Sequence, residues 1–371
     1  MRSTEWQLLL DRYLGIPLLA LLGVVHARRS LPTQIKRIGI ISPTAIGDMV
    51  LSTGLFIHLR EQFPGAELHI FHGASNAGAL SLIAGKIYSH QCVFQKVRAT
   101  LKEICGANLD ILIDLTPWPR LTAMVAKLSG VVTVGFTSEN QYRGAAFDIA
   151  VRHSSNVHEI ENLRRISNVF GACEEYKVQL RMANTPCDIC LPYEKLVIFH
   201  TSAGGRRNYA RSWPLDSWAE LSRRLCAEGF RIGLTGTKND EALAQEILSR
   251  VGVPPDQAFS LCGKLNLAGL ATVLEKARLV VSVDTGVLHI ASAVKARLIG
   301  LHGPSRSMRW GARNKEAASI DSPHPCSGYL SFGFEQHQRE LEIMPRISVD
   351  AVYNLASRKL LESEFDLASA L

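Results

Sequence analysis

The 371-residue chain lacks the glycine motifs that mark the common nucleotide-binding folds. It contains neither a G-x-x-x-x-G-K-[ST] loop nor a G-x-G-x-x-G segment after a strand, so Walker-type ATPases and NAD-dependent enzymes lose their main sequence support. It also has no Asp-x-Asp pair, which would hold a divalent metal against a diphosphate. Diphosphate chemistry would therefore depend on cationic side chains and helix N-termini, and we expect neither a metal ion nor another cofactor.

The eight cysteines lack the dense, regular spacing of a secreted disulfide framework, so a reducing compartment is the default expectation. Cys187 and Cys190 form one C-x-x-C, but no second pair or histidine set completes a zinc site. We interpret them as linker thiols, with metal or redox use as the alternative.

No charge-free apolar run reaches bilayer length. Residues 13–27 contain no Asp, Glu, Lys or Arg, but spanning a bilayer requires about 20 apolar residues. A signal peptide is disfavoured because Glu5 and Asp11 lie where positive charge is expected.

Two interpretations of this N-terminal segment remain. It could be a helix packed on the body of the protein. Alternatively, residues 6–29 could lie in a membrane interface, with Trp6 and Tyr13 near head groups and Arg28 and Arg29 on anionic lipid. We favour the interface.

The length of the chain allows two domains, and its net positive charge suits an anionic partner. A chain of this length suits two domains of about 150 to 200 residues. The net charge of +7 and the pI near 9.0 suit nucleic acid, an acidic membrane or a phosphorylated small molecule. The sign of the charge does not choose among these.

Apolar strands alternate with helical patterns, which predicts parallel sheets of the α/β class. In the first half we predict a strand from Arg37, a helix from Asp48 to Gln62, a strand at 67–71, a helix near 79–87 and a strand at 109–115. The pattern restarts at Leu196. There we predict strands at 196–200, 230–235, 279–283 and 297–301, and helices at 214–228, 239–250, 267–276 and 286–294.

The restart follows a segment rich in Pro and Cys, which we take as a linker. The predicted organisation is an apolar segment (1–34), an N-terminal domain (35–185), the linker (186–195), a C-terminal domain (196–345) and a closing helical segment (346–371).

One candidate binding segment is 281–293 (VSVDTGVLHIASA), where an apolar strand ends and a helix begins at once. Open parallel sheets bind ligands at the carboxyl ends of strands, where helix N-termini favour anions. Asp284, Thr285 and Gly286 form this turn, and His289 follows near one helical turn later. The alternative is that Asp284 only caps the helix and His289 is a core residue.

A second candidate is the loop 201–214, which carries two adjacent glycines and the arginines Arg206, Arg207 and Arg211. Glycines let backbone amides approach phosphate oxygens, and guanidinium groups bind them in pairs. The alternative is a basic surface loop, and Arg211, next to the following helix, is the best candidate. Lys238 adds a cation after another strand.

Asp48 at the start of the first helix is the candidate general base. It could take a proton from an acceptor hydroxyl, and the helix dipole would keep it ionised. The alternative is a helix cap.

Taken together, these segments resemble glycosyltransferase family 9, the heptosyltransferases of bacterial lipopolysaccharide core synthesis. The resemblance covers about residues 37–356. It rests on I-G-D (46–48), W-P (213–214), G-x-x-x-D-E (236–241), D-T-G-x-x-H (284–289) and G-P (303–304).

The resemblance implies a GT-B fold, in which two Rossmann-like domains with parallel sheets face each other across a cleft. It also implies an acceptor bound by the N-terminal half, an ADP-sugar bound by the C-terminal half, and inversion at the anomeric carbon without a metal.

The family also implies roles for single residues. Asp48 would be the general base, and Arg211 stands where the family commonly has a phosphate-binding lysine. Donor binding would further involve Ser202, Lys238, Leu265, Asp284, Thr285, Gly286 and His289. Trp118 and Arg120 are weaker candidates for acceptor contacts, with loop packing as their alternative.

The predicted function is transfer of heptose from ADP-heptose to a lipopolysaccharide core or another lipid-linked or polysaccharide acceptor. Nucleic acid is not an expected partner. We expect the enzyme in the cytoplasm, peripheral to the inner membrane. The alternatives are a sugar-nucleotide epimerase of GT-B fold and a non-catalytic nucleotide-binding scaffold.

Overall fold

The computed structural model describes residues 11, 13–24, 28–139, 141–181, 191–204, 208–330 and 342–369. It divides the chain into two compact units, residues 1–181 and 182–371. Trp6, Cys187, Cys190, Arg206 and Arg207, singled out above, lie outside the described residues.

The N-terminal unit is built on a parallel sheet of six strands in the order β3-β2-β1-β4-β5-β6. The strands are β1 (Arg37–Ser42), β2 (Glu67–His72), β3 (Tyr88–Gln91), β4 (Ile111–Asp114), β5 (Val132–Thr137) and β6 (Ile149–Arg152). The central strands β1 and β4 are almost wholly buried, as expected for parallel strands covered by helices on both faces.

The described helices of this unit cover its sheet. They are α1 (Gly15–Val24), α2 (Ile46–Gln62), α3 (Val97–Gly106), α4 (Arg120–Leu128) and α5 (Glu159–Ser167). α2 is buried along most of its length. Gly54 in this helix lets the ring of Tyr176 approach, and Tyr176 Oη donates to the Leu51 carbonyl at 2.9 Å.

The C-terminal unit repeats the architecture with the strand order β12-β11-β10-β7-β8-β9, again all parallel. The strands are β7 (Leu196–His200), β8 (Arg231–Thr235), β9 (Ala258–Ser260), β10 (Leu279–Val283), β11 (Leu298–His302) and β12 (Ala317–Asp321). The helices are α6 (Leu215–Ala227), α7 (Glu241–Val251), α8 (Leu267–Lys276), α9 (Gly286–Ala293), α10 (Ser307–Trp310) and α11 (Val349–Ser369).

The W-P motif fixes the start of α6 through packing. Trp213 and Trp218 are buried and meet edge to face at 5.0 Å between ring centroids. Trp213 Nε1 donates a 2.9 Å hydrogen bond to the carbonyl of Ile347, which ties the segment before α11 to the core of the C-terminal unit.

Each sheet has one point where the chain reverses its direction of winding: between β1 and β4 in the first unit, and between β7 and β10 in the second. Helices that follow neighbouring strands on either side of such a point leave a crevice at the carboxyl ends of the strands, where α/β proteins bind ligands.

The predicted helix near 79–87 is wrong. A 3₁₀ helix occupies Ala74–Leu82 instead, and β3 follows it. Gly73, Gly78 and Gly85 interrupt the helical pattern of this stretch, and glycine costs an α-helix about 1 kcal/mol per residue. The strands predicted in the second half are confirmed to within one residue, whereas β9 and β12 were not predicted.

Candidate functional site

Arg211 bridges the reversal point of the C-terminal sheet. Its side chain comes from the loop after β7, and Nη1 donates to the carbonyl of Asp284, which follows β10, at 3.3 Å. Nη2 donates to the Gly204 carbonyl at 2.8 Å. The guanidinium therefore holds the two loops of the crevice together and places a positive charge between them.

The N-terminus of α9 lies beside this cation. Thr285 is the N-cap, and its Oγ1 accepts from the backbone N–H of Val287 at 3.1 Å. Gly286 then opens the helix, so no Cβ obstructs the approach to its first turn. Backbone N–H groups and the helix dipole make this end attractive to anions.

Asp284 is held by a hydroxyl from the next loop. Ser305 Oγ donates to Asp284 Oδ2 at 2.5 Å, while Asp284 itself is half-buried. Ser305 follows the G-P motif after β11, where a Cβ on Gly303 would collide with Met344. One carboxylate is thus fixed at the crevice, with its orientation set by Ser305.

His289, in the first turns of α9, is almost wholly buried. Its side chain is 5% exposed, and its ring faces Trp310 edge to face at 6.4 Å. Burial lowers the pKa of His289 even though Asp284 opposes the shift. This burial agrees with the interpretation of His289 as a neutral core residue, which was the alternative to a binding role.

Ser202, in the loop after β7, forms a hydrogen bond with Asp240. Ser202 Oγ donates to Asp240 Oδ1 at 2.7 Å, and Thr237 donates to Oδ2 from its backbone N–H at 2.7 Å and from Oγ1 at 2.6 Å. Burial opposes ionisation of Asp240, but these hydrogen bonds outweigh it and lower its pKa. The D-E motif thereby fixes the loop after β8 against the loop after β7.

His200 ends β7, next to this network. Its Nδ1 lies 3.1 Å from Thr235 Oγ1, and burial lowers its pKa to about 4, with Asp240 acting in the opposite direction. His200 is therefore neutral at physiological pH. No feature of the sequence distinguished this histidine, because its burial follows from the strand order.

Lys238 and Leu265 lie on neighbouring loops of the same sheet. Lys238 is exposed after β8, and Leu265 is half-buried before α8. The two loops meet at Gly263, which has φ +68° and would place a Cβ 3.0 Å from Lys238 Cα. The close backbone approach requires glycine there, so the cation and the apolar side chain are held on adjoining loops.

Asp48 lies in the N-terminal unit, in the first turn of α2, beside the reversal point between β1 and β4. Its Oδ2 accepts from the Ala45 backbone N–H at 3.0 Å, which is one of the two hydrogen bonds of a capping box. The carboxylate is half-buried. Asp48 therefore caps α2. It also lies at the carboxyl ends of the strands, where a general base could act.

Asp114 and Arg143 form a buried ion pair that the sequence analysis missed. Arg143 Nη2 donates to Asp114 Oδ2 at 2.6 Å, and both side chains have zero exposure. Burial raises the pKa of Asp114 in spite of Arg143. Thr116 donates to Asp114 Oδ1 from its backbone and its hydroxyl, so the pair fixes the loop after β4.

Trp118 and Arg120 follow that loop. Arg120 is 2% exposed and directs Nη1 to Asp11 Oδ2 at 2.9 Å and Nε to the Gln141 carbonyl at 3.0 Å. Trp118 is half-buried, with the Arg120 guanidinium 6.0 Å from its ring centroid. Arg120 is therefore a packing residue, which was the alternative to acceptor binding. Trp118 keeps part of its surface accessible.

The C-terminal unit thus brings together Arg211, Asp284, Thr285 and Gly286 at one crevice, and links Ser202 to the loop of Lys238. Among the residues that the structure describes, no group of three His, Cys, Asp or Glu side chains is placed to hold a metal ion.

Comparisons with known proteins identify one family. The model of glycosyltransferase family 9 (heptosyltransferase) matches residues 97–332. Lipopolysaccharide heptosyltransferase 1 of Pseudomonas aeruginosa is 33% identical over 139 residues, which is 38% of this chain and 36% of that protein. Lipooligosaccharide heptosyltransferase 2 of Haemophilus ducreyi is 23% identical over 322 residues, covering 76% of this chain and 88% of its own length.

Some of the matches are partial: the chain spans 36% of the Pseudomonas protein and 28% of lipooligosaccharide heptosyltransferase 2 of Haemophilus influenzae. Among solved structures, ADP-heptose lps heptosyltransferase II of E. coli superposes with a TM-score of 0.70 at 19% identity, over 88% of this chain and 99% of that one. E. coli heptosyltransferase WaaC with ADP gives 0.69 at 19%, over 87% and 99%. These superpositions confirm the predicted fold class.

Proposed function

Because this chain belongs to glycosyltransferase family 9, the heptosyltransferases, we propose that it transfers heptose from ADP-heptose to an acceptor hydroxyl. The acceptor is a lipopolysaccharide core or another lipid-linked or polysaccharide glycan, and the anomeric carbon is inverted. The relatives named as lipopolysaccharide heptosyltransferases and the similar structures described with ADP and with ADP-2-deoxy-2-fluoro heptose support this choice of donor.

The observation that carries the proposal is the Arg211 bridge beside the N-terminus of α9. Arg211 contacts Gly204 and Asp284 through their carbonyls, so its charge is fixed in place before a ligand binds. Preorganised cations and N–H groups stabilise charge that develops on a leaving group. We assign this crevice to the diphosphate of the donor, with Lys238 as a second cation and Leu265 against the base.

In the proposed reaction, an acceptor hydroxyl attacks the anomeric carbon from the face opposite the diphosphate. A carbon–oxygen bond forms there while the bond to the diphosphate oxygen breaks, and ADP leaves with the electron pair. Asp48 takes the hydroxyl proton as general base. Arg211, Lys238 and the start of α9 stabilise the negative charge on ADP, which is the role a metal ion has in other transferases.

A glycolipid acceptor places the enzyme at the cytoplasmic face of the inner membrane. The net charge of +7 favours residence near an anionic surface, because positively charged proteins are attracted to anionic lipid head groups.

The decisive experiment offers the full chain ADP-, GDP- and UDP-sugars, ADP-heptose among them, together with a lipid extract of its host, and follows the extract by mass spectrometry. We expect a mass increase of one heptose residue with ADP-heptose and with no other donor. Nucleotide or free sugar released without any acceptor would instead indicate an epimerase. Binding of ADP without turnover in any mixture would indicate a scaffold.

A further inference from the structure

Helix α1 attaches to the N-terminal unit by one face. Leu19 is fully buried, and Gly15 lies so close to Arg120 that a Cβ would be 2.9 Å from its Cδ. Asp11, just before the helix, accepts from Arg120 through its carboxylate. Gly15 and Leu19 are four residues apart, so they share a face of the helix, and that face is fixed to the protein.

The opposite face of α1 is apolar and exposed. Leu14, Leu18 and Leu21 are 58%, 47% and 65% exposed, and Tyr13 is 69% exposed. The leucines are spaced by four and three residues and so form one stripe along the helix. Residues 13–24 contain no charged side chain. The helix therefore has no charged group of its own beside this apolar stripe.

A further exposed leucine lies on α4, at the end of that helix farthest from Arg120. Leu128, the last residue of α4, is 53% exposed. It stands two residues before Gly130, whose carbonyl accepts from Arg29 Nη1 at 2.7 Å. Arg29, five residues beyond the last residue of α1, therefore reaches the same end of α4 at which Leu128 lies.

An exposed tyrosine lies at the other end. Tyr142 is 56% exposed with φ +59°, and it follows Gln141, whose carbonyl accepts from Arg120. Since Arg120 also holds Asp11, Tyr142 lies near the beginning of α1. We call the six exposed side chains the α1 surface: Tyr13, Leu14, Leu18, Leu21, Leu128 and Tyr142.

The described charged residues around the α1 surface leave a positive side chain exposed. Two carboxylates among the described residues near it are neutralised, since Asp11 pairs with Arg120 and Asp148 pairs with Arg29 at 3.0 Å. Arg28 is exposed. An apolar patch with tyrosines at one end and an exposed arginine at the other is complementary to the interface of an anionic bilayer.

We propose that the α1 surface docks the protein on anionic lipid, with α1 lying in the plane of the interface. The helix has ten residues, or about 15 Å at 1.5 Å per residue, half of the roughly 30 Å of a bilayer core. Among the described helices, none combines the length and hydropathy that crossing a membrane demands. Surface docking does not depend on the transferase chemistry proposed above.

The test uses the full chain and sedimentation with sucrose-loaded vesicles of phosphatidylglycerol and phosphatidylethanolamine, with pure phosphatidylcholine vesicles as comparison. The wild type should bind the anionic vesicles, and added salt should weaken binding. The double variant Leu18→Asp and Leu21→Asp should bind at least about tenfold more weakly, because burying one leucine is worth about 1.5–3 kcal/mol. Arg28→Glu should weaken binding to anionic vesicles only.

Leu361→Asp is the matched control, because Leu361 is 56% exposed on α11 of the other unit and undergoes the same chemical change. It should bind vesicles as the wild type does. Wild-type binding by the double variant would overturn the proposal, as would a wild type that stays in the supernatant. A lipid-free dimer that the double variant dissociates would identify a second copy as the occupant instead.

Binding and catalysis are separable in this design. The double variant should keep wild-type transfer to a detergent-solubilised acceptor. Vesicle binding without any transfer would contradict the proposed reaction and leave the docking surface standing.

Discussion

Arg211 donates a hydrogen bond to the backbone carbonyl of Asp284 across the reversal point of the C-terminal sheet. The same guanidinium holds the Gly204 carbonyl, so one side chain fixes both loops of the crevice. Lysine would keep the charge but has a single nitrogen in place of the planar fork. Charge and loop geometry are therefore separable by mutation.

For Arg211→Ala we expect ADP affinity, measured by titration calorimetry, to fall about 10- to 100-fold, because a charge-assisted contact worth about 1.5–3 kcal/mol is lost. Arg211→Lys should lose less affinity but still lower kcat. Arg223→Ala, which removes a partly exposed arginine of α6 paired with Glu220, is the control. Equal ADP affinity in all three variants would remove Arg211 from the donor site.

For Asp48→Asn we expect kcat to fall about 10²- to 10⁴-fold, the usual contribution of a general base. ADP affinity should stay within about twofold of the wild type, because we assign ADP to the other unit. The amide oxygen of asparagine still accepts from Ala45, so the helix cap survives. Asp216→Asn replaces another first-turn carboxylate, in α6, and should leave kcat unchanged. Near-normal transfer by Asp48→Asn would exclude it as the base.

Asp11→Ala tests whether Arg120 has a structural role. It removes the carboxylate from an arginine that is 2% exposed, and an unpartnered buried charge costs about 3 kcal/mol. The thermal midpoint of unfolding should drop by several degrees. Glu139→Ala breaks a pair that is exposed on both sides and should leave the midpoint unchanged. An unchanged midpoint for Asp11→Ala, with a raised acceptor KM, would favour acceptor binding instead.

His200 should make the protein less stable in mild acid. Burial lowers its native pKa to about 4, whereas the unfolded histidine has a pKa near 6.5. Between these values only the unfolded chain binds the proton, so stability falls as pH drops below about 6.5 and levels off below about 4. From pH 7.5 to pH 5 the contribution of His200 is a loss of about 2 kcal/mol.

The measurement is urea unfolding at several pH values, followed by the fluorescence of the buried Trp213 and Trp218. Asparagine in place of His200 should flatten the pH dependence. Part of the dependence should remain, since burial also lowers the pKa of His289 and His302. A wild-type slope in His200→Asn would contradict the assignment.

The sequence predicted the central strands well, because continuous apolar runs such as those of β1, β7 and β10 are typical of strands buried on both faces. The interior strand β5 (VTVGFT) escaped prediction although most of it is buried. Edge strands escaped as well: β3 (YSHQ) and β12 (AASID) carry polar residues, since an edge strand is only half covered. A 3₁₀ helix at Ala74–Leu82 stands where an α-helix was predicted from the apolar spacing, because the glycines of this stretch disfavour an α-helix.

What the sequence by itself determined was the α/β class, the family and the strand-to-helix turns that hold Asp48 and Asp284, because motif spacing and periodicity are local properties. Tertiary structure decided the rest: that Arg211 reaches the Asp284 carbonyl 73 residues away, that Asp114 pairs with Arg143, and that Arg120 holds Asp11 rather than facing solvent. Such contacts depend on strand order and on which face of a helix is buried, and both are set by packing between segments far apart in the chain.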